Sequence, residues 1–363
     1  MRIAIVAPLV TRIREPQAGG SQAVVADLAT GLQNRGHEVH VHAASGSAIP
    51  GVTVVDSGID AAPLAGLLYR HGRSPATDAR AADVAFATVY AAIRRASYDV
   101  VHNHAFDPPA IRLAASLPSP VVHTLHLPPD PAMAAALAEA RRSANPPTIA
   151  AVSTSHAAAW RAVAAVDVIL PDGVPVDRIP WSATGGAGAI FAGRFSPEKG
   201  AEDAIAIARR AGVRIDLYGE PYDPDYAQFH VMSHQGDAGV SIHGGLMRSE
   251  LWRRMAEACA VICPAKWDEP FGMVAAEAQA AGTPVIAYRR GALPEIIIDR
   301  RTGFLVPADD VGAAARALIA VSRIRREACR QHAVSDLSLD ASLAAHERLY
   351  EALQTPAKTN RYA

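Results

Sequence analysis

MRIAIVAPLVTRIREPQAGGSQAVVADLATGLQNRGHEVHV, residues Met1–Val41, decides the fold class. Arg2–Ala7 is a short apolar run, followed by a loop bearing Pro and Gly that reaches Gly20. From Ser21 the apolar residues Val24, Val25, Leu28 and Leu32 fall on one helical face. Gly36 stops that helix, and Val39–Val41 resumes an extended run. A strand, a loop, a helix and a second strand in that order mark a parallel sheet with crossover helices.

The same unit recurs outward along the chain. Val52–Val55, the segment from Tyr98 to His102, Pro120–Thr124 and Ile149–Val152 are further predicted strands, and Ala82–Ala96 is an Ala-rich predicted helix. Strands that are apolar almost throughout imply a sheet covered on both faces. Leu170–Pro175 and then Trp181–Gly188 are rich in Gly and Pro and read as a linker, where domain boundaries fall. Beyond it the alternation restarts. Strands are predicted at Ala189–Ala192, Val213–Leu217, Val240–Ile242, Val261–Cys263 and Pro284–Ala287, with helices at Gly200–Ala211, Ser249–Ala258 and Val274–Ala281. Leu339–Leu353 reads as one more amphipathic helix, and Thr355 onward as a frayed end. The chain is therefore expected to be α/β, with two Rossmann-like domains of parallel sheet facing each other across a cleft. The expected divisions are 1–168 and 169–338, and the last helix, about 339–354, is expected to return to the first domain.

The whole chain agrees with this. At 363 residues, half of them apolar, it is long enough for two cores. Lys plus Arg is 35 against 36 Asp plus Glu, so no basic surplus points to nucleic acid, and the composition is not that of a disordered chain. Three cysteines, Cys259, Cys263 and Cys329, make no disulfide framework and fit a reducing compartment. The apolar start is short, and Arg12, Arg14 and Glu15 follow it with no small-residue cleavage pattern, so a strand rather than a leader is expected. No run reaches the ~18 apolar residues of a membrane span. The expected location is the cytoplasm; transient membrane contact stays open, although no basic amphipathic stretch near the start demands it.

In open α/β sheets, ligands bind beyond the carboxyl ends of the strands, so the strand-end loops are where the chemistry is expected. Glu269-Pro-Phe-Gly-Met-Val-Ala-Ala-Glu277 follows a strand and opens a helix at Gly272. The amides of Phe271, Gly272 and Met273 are then helix-start donors suited to a phosphate. Glu269 and Glu277 flank that point, where carboxylates can hold sugar hydroxyls; equally, Glu269 can cap the helix and Glu277 can be an exposed helix residue. Arg194 and Lys199, in Ala192-Gly-Arg-Phe-Ser-Pro-Glu-Lys-Gly200, place two cations at a strand end, as a diphosphate requires. Only three of the chain's basic residues, Lys199, Lys266 and Lys358, are lysines, which singles out Lys199. Gly19-Gly20-Ser21 brings bare backbone to a helix start, and Gly244-Gly245-Leu246 joins a strand to a helix. Asp223-Pro-Asp225 has the form of a cation site, but it lies in a Pro- and Tyr-rich loop and is expected to hold no metal.

The ordered set of these motifs resembles retaining glycosyltransferase family 4, whose members have the GT-B fold. The likeness spans nearly the whole chain. It includes Tyr98-Asp-Val-Val-His-Asn-His104, Val122-His-Thr-Leu-His126, Ala151-Val-Ser153, and Gly291-Ala-Leu-Pro-Glu-Ile296 with Thr302-Gly-Phe-Leu-Val306. The resemblance implies a transferase that moves a hexose-type sugar from a nucleoside diphosphate sugar, UDP- or GDP-linked, to an acceptor hydroxyl with retention and without a metal or other cofactor. It implies that Glu277 holds the ribose, that Arg194, Lys199 and the amides after Pro270 hold the diphosphate, and that Glu269 with Phe271, Gly272 and Met273 holds the sugar. Gly20 is implied to face the donor phosphate from the first domain, and the backbone around Leu246 to read the base. His126 is the implied active-site histidine beside the transferred sugar, with His123 as the alternative one turn away; His102 and His104 are expected to shape the acceptor side or support the loop. A sugar-nucleotide 2-epimerase, a pseudo-glycosyltransferase and a non-catalytic nucleotide-sugar binder share the architecture and remain alternatives. Asp172 stands where the family usually has Asn before Gly, and Gly219-Glu-Pro replaces the common Gly-x-Gly. The sequence names neither the acceptor nor an oligomeric state.

Overall fold

A computed structural model of the chain describes residues 1–17, 19–61 and 76–354. Strands β1 (Arg2–Val6), β2 (Glu38–Ala43), β3 (Thr53–Asp56), β4 (Val100–Asn103), β5 (Val121–Leu125), β6 (Thr148–Ala151) and β7 (Val168–Ile169) form a seven-stranded sheet in the order β3-β2-β1-β4-β5-β6-β7. Strands β8 (Ala189–Ala192), β9 (Ile215–Tyr218), β10 (Val240–His243), β11 (Ala260–Cys263), β12 (Val285–Tyr288) and β13 (Gly303–Val306) form a six-stranded sheet in the order β10-β9-β8-β11-β12-β13. The pairings in both are parallel. All of β5 and all of β12 are buried, as an apolar strand covered on both faces must be.

The strand order fixes where a ligand can bind. Chain direction across the sheet reverses between β1 and β4 in the first sheet and between β8 and β11 in the second. Loops that leave such neighbours on opposite faces open a crevice at their carboxyl ends. The loops after β1, β4, β8 and β11 carry Gly20, His104, Arg194 with Lys199, and Glu269, in that order.

The helix Leu339–Gln354 packs on the first sheet's side of the molecule: Leu343 and Tyr350 share a core with Ile3, Ile5, Val25 and Leu32. A Cβ on Gly31 would come within 2.5 Å of Leu343, so the helix Gly20–Asn34 and the last helix touch through bare backbone. The two chain crossings between the sheets run side by side. Val174 donates its amide to the Leu337 carbonyl at 2.9 Å, and Leu339 donates to the Val174 carbonyl at 2.8 Å.

Several predicted elements differ in extent. The helix predicted from Ala82 begins at Ala76, and the strand predicted from Val213 begins at Ile215. Of the segment read as a linker, the first part is packed, with Leu170, Asp172, Val174, Val176 and Ile179 buried because both crossings lie against the cores they join, while residues 181–188 are mostly exposed. Thr355 onward lies outside the described residues. None of the described helices is long and apolar enough to cross a membrane.

Candidate active site

A cavity of about 330 Å³ lies between the two sheets, at the carboxyl ends where the strand orders reverse. Arg194, Lys199, Leu246, Glu269 and Glu277 line it from one side, and Gly20 and His126 from the other. Phe271, Gly272 and Met273 also line it, so the cavity gathers every residue picked out from the sequence as donor-binding or catalytic.

The turn after β8 supplies the cations. Lys199 ends the 3-10 turn Pro197–Lys199, and Gly200 follows in the left-handed region at φ 69°. An ideal Cβ on Gly200 would lie 2.3 Å from the Pro264 carbonyl oxygen, so glycine is what lets this turn press on the end of β11. Lys199 Nζ donates to both Glu269 oxygens, at 2.8 and 2.9 Å, and stands 4.6 Å from the Trp267 ring centre. The Trp267 indole N–H also donates to Glu269. Glu269 therefore does not cap the helix that follows; its N-cap is Gly272, at φ 105°, with no side-chain cap. The first helical bond there runs from the Ala276 amide to the Gly272 carbonyl, which leaves the preceding amides free of helical partners. Arg194 bonds Glu198 at 3.1 Å and lies 4.4 Å from the Tyr222 ring centre. Gly200→Ala is expected to cost roughly 3 kcal/mol of stability through strain and overlap and to weaken anion binding as Lys199 is displaced. Denaturant unfolding checks it; an unchanged midpoint would contradict it.

Glu277 is not an exposed helix residue. It is buried, and its Oε1 accepts from Arg248 Nη2 at 2.9 Å. Arg248 also pairs with Asp27 of the first domain at 2.8 Å and lies 4.8 Å from the Trp252 ring centre. Two carboxylates beside it raise the Arg248 guanidinium's pKa despite burial. This buried carboxylate–guanidinium–carboxylate row joins the domains. The sequence reading missed it, although a cation opening the helix Arg248–Glu257 opposes the helix dipole and so asks for anionic partners. In the turn whose backbone the resemblance implies reads the base, the Gly245 amide donates to Glu220 Oε1 at 2.7 Å. That contact also assigns Glu220, in the departing Gly219-Glu-Pro segment, a place in the cavity wall.

The first domain presents backbone and imidazole. A Cβ on Gly20 would lie 3.6 Å from Met273 Cγ, and one on Gly19 would lie 3.9 Å from Arg194 Nη1, so the two domains meet across this glycine pair. His126, just past β5, lines the cavity; its Nε2 is 2.8 Å from His104 Nδ1. Burial holds the His126 pKa down at about 3. His123, inside β5, is buried and does not line the cavity, because its place in the strand points it into the first domain. His102 bonds Tyr350 Oη at 2.5 Å and Thr124 Oγ1 at 2.7 Å, so it ties the last helix to the sheet. Ser153 Oγ donates to the Pro270 carbonyl at 2.7 Å, and Glu295 accepts from the Thr154 and Ser155 amides at 2.9 and 2.6 Å. The first contact holds the loop after β11 against the first domain, and the second does the same for the short helix Leu293–Ile296 after β12.

Asp172 lines the cavity at the crossing, and burial pushes its pKa up to about 7. A carboxyl raised in the folded state contributes stability at low pH that is lost as pH rises toward 7. Asp172→Asn is therefore expected to stabilise the protein by roughly 2–4 kcal/mol at pH 8, and by less at pH 6. Thermal unfolding at the two pH values checks this; a variant no more stable at pH 8 would contradict it. Asp223 caps a short turn, accepting from the Tyr226 amide at 3.0 Å. Among the described residues no group of three or more His, Cys, Asp or Glu is placed to hold a metal ion.

Both halves of the chain are similar to known proteins. Residues 18–178 match the family model described as glycosyltransferase family 4, and residues 182–334 match the one described as glycosyl transferases group 1. Glycogen synthase of Mycobacterium tuberculosis is 32% identical over 197 residues, which cover 50% of this chain and 47% of that protein, so the match spans about half of that relative's length. The phosphatidyl-myo-inositol mannosyltransferase of Mycolicibacterium smegmatis is 28% identical over 346 residues, 88% of this chain and 84% of that one. The solved structure of Anabaena HepE in complex with UDP and glucose superposes with a TM-score of 0.76 at 17% identity, covering 97% of this chain and 100% of that one, a likeness of fold.

Proposed function

Since the chain belongs to glycosyltransferase family 4 and has the GT-B fold, we propose that it moves a hexose-type sugar from a nucleoside diphosphate sugar to an acceptor hydroxyl, with retention of anomeric configuration. The observation that carries this reading is the Lys199–Glu269 pair at the start of the helix Met273–Ala280, with Arg194 beside it and His126 opposite. Lys199, Arg194 and the helix-start amides receive the diphosphate and stabilise the charge it takes on leaving, with no metal in that role. Glu269, held by Lys199 and Trp267, accepts from sugar hydroxyls. One oxygen of Glu277 is taken by Arg248, and the other receives a ribose hydroxyl. UDP or GDP is the expected nucleotide; HepE, of the same fold, was solved with UDP.

Retention is what the likeness to the family implies, and the carboxylates bear on how it is reached. Of those described in the cavity wall, Glu269 pairs with Lys199, Glu277 with Arg248, and Glu220 with the Gly245 amide, while Asp172 stays protonated up to about pH 7. None is offered as a free covalent nucleophile, so, given retention, the proposed route is attack of the acceptor hydroxyl on the face that the diphosphate leaves. Domain closure excludes water and aligns that hydroxyl with the anomeric carbon. Incubation with UDP- and GDP-sugars and a panel of hydroxylic acceptors, with NMR of the product, tests this. The account expects a retained linkage, undiminished by EDTA. An inverted linkage would overturn the mechanism, and donor isomerisation without acceptor would replace transfer with epimerisation.

A further inference from the structure

We infer that His104 is a positioning residue that fixes the tautomer of His126, so that His126 presents an Nδ1–H to the cavity. The inference rests on the proposed function for its consequence, since the hydrogen bond so offered goes to the transferred sugar. Its structural part stands alone.

His104 Nδ1 and His126 Nε2 are 2.8 Å apart, and their rings lie nearly parallel at 23°. One of the two nitrogens must donate and the other accept, and which one does so decides the proton on the cavity side. Both rings are neutral: burial, with His102 and other histidines nearby, holds the His104 pKa well below its ordinary value, and burial does the same to His126. Each ring therefore carries one proton.

The other nitrogen of His104 settles the choice. His104 Nε2 is buried with no hydrogen-bond partner among the described residues. A proton there would leave an N–H buried without an acceptor, and orphaned buried donors are rarer than orphaned acceptors. The His104 proton thus lies on Nδ1 and is donated to His126 Nε2. His126 must then carry its own proton on Nδ1, the nitrogen to which no described residue bonds, in a side chain that lines the cavity.

His104 is itself held in place. Its ring lies 4.0 Å from that of His102, whose two nitrogens are anchored by Tyr350 and Thr124. The row runs from the last helix to the cavity, so the segment Leu339–Gln354 reaches the site through three side chains.

Nitrogen-15 NMR of histidine-labelled protein, free of ligand, tests the structural part. Wild type is expected to show His126 protonated on Nδ1. His104→Gln, whose side-chain amide still donates, should keep that tautomer; His104→Phe should lose it. In transfer assays His104→Phe is expected to lower kcat about tenfold, the worth of one hydrogen bond, with KM for the donor little changed, and His104→Gln should recover most of it. A wild-type His126 protonated on Nε2 would overturn the inference, as would a His104→Phe enzyme with wild-type kcat. If His104→Phe does not fold, the wild-type and His104→Gln spectra still decide. If no transfer is found with any acceptor, the spectra bear on the tautomer alone and the failure belongs to the proposed function.

Discussion

On acidification from pH 7 to about pH 5 the first domain is expected to unfold. Its interior holds His42, His102, His104, His123 and His126, with His346 from the last helix, all buried. Burial drives each pKa down, to about 4 for His42 and His346, to about 3 for His123 and His126, and well below the ordinary value for His102 and His104. A histidine depressed in the folded state contributes stability above its unfolded pKa, and that stability is lost as pH falls below it. The unfolded chain takes up these protons below about pH 6.5, and each group then costs about 1.4 kcal/mol per pH unit. Asp107 and Asp172, whose pKa values burial raises to about 7, work in the opposite direction over the same range. The balance at pH 5 is a loss on the order of 7 kcal/mol, comparable with the whole stability of an ordinary domain. Circular dichroism melts at half-unit pH steps check it, and a melting temperature that holds steady down to pH 4.5 would contradict it.

The second large effect is at Lys199. Removing one preorganised donor to the charge that develops on a leaving group typically costs about 10²–10³ in kcat, and Lys199→Ala is expected to fall in that range. Lys199→Arg should not rescue it. The ammonium fits between the two Glu269 oxygens and the Trp267 face, and a planar guanidinium on a longer stem cannot make the same three contacts. Steady-state kinetics with a fixed acceptor measure both variants. A Lys199→Arg enzyme within twofold of wild type would show that only the charge matters.

Much of the architecture was legible because it rests on local pattern. Ile3, Ile5, Val39 and Val41 are apolar in runs too short for helices, and parallel sheet is what such runs build between helices. The two-residue β7 was not legible, since Val168–Ile169 carries no period of its own and is a strand only beside β6. Residues that respond to local chemistry, such as the Gly272 helix start, Lys199 and Gly20, were found from their neighbours in sequence. Residues defined by distant partners were not. Arg248 matters because Asp27 and Glu277 flank it, and Trp267 because it meets Lys199 and Glu269. Likewise His123 and His126 are alike in sequence, and only the end of β5 after Leu125 separates a core residue from one at the cavity.

The central claim is that the second domain's strand-end loops grip a nucleoside diphosphate. Calorimetric titration of wild type, Arg194→Ala, Lys199→Ala and Glu277→Ala with UDP, GDP and ADP tests it most directly. The account predicts that wild type binds one of these nucleotides and that each folded variant binds it at least about tenfold more weakly. Variants that bind as wild type does, or a wild-type protein that binds none of the three, would contradict it.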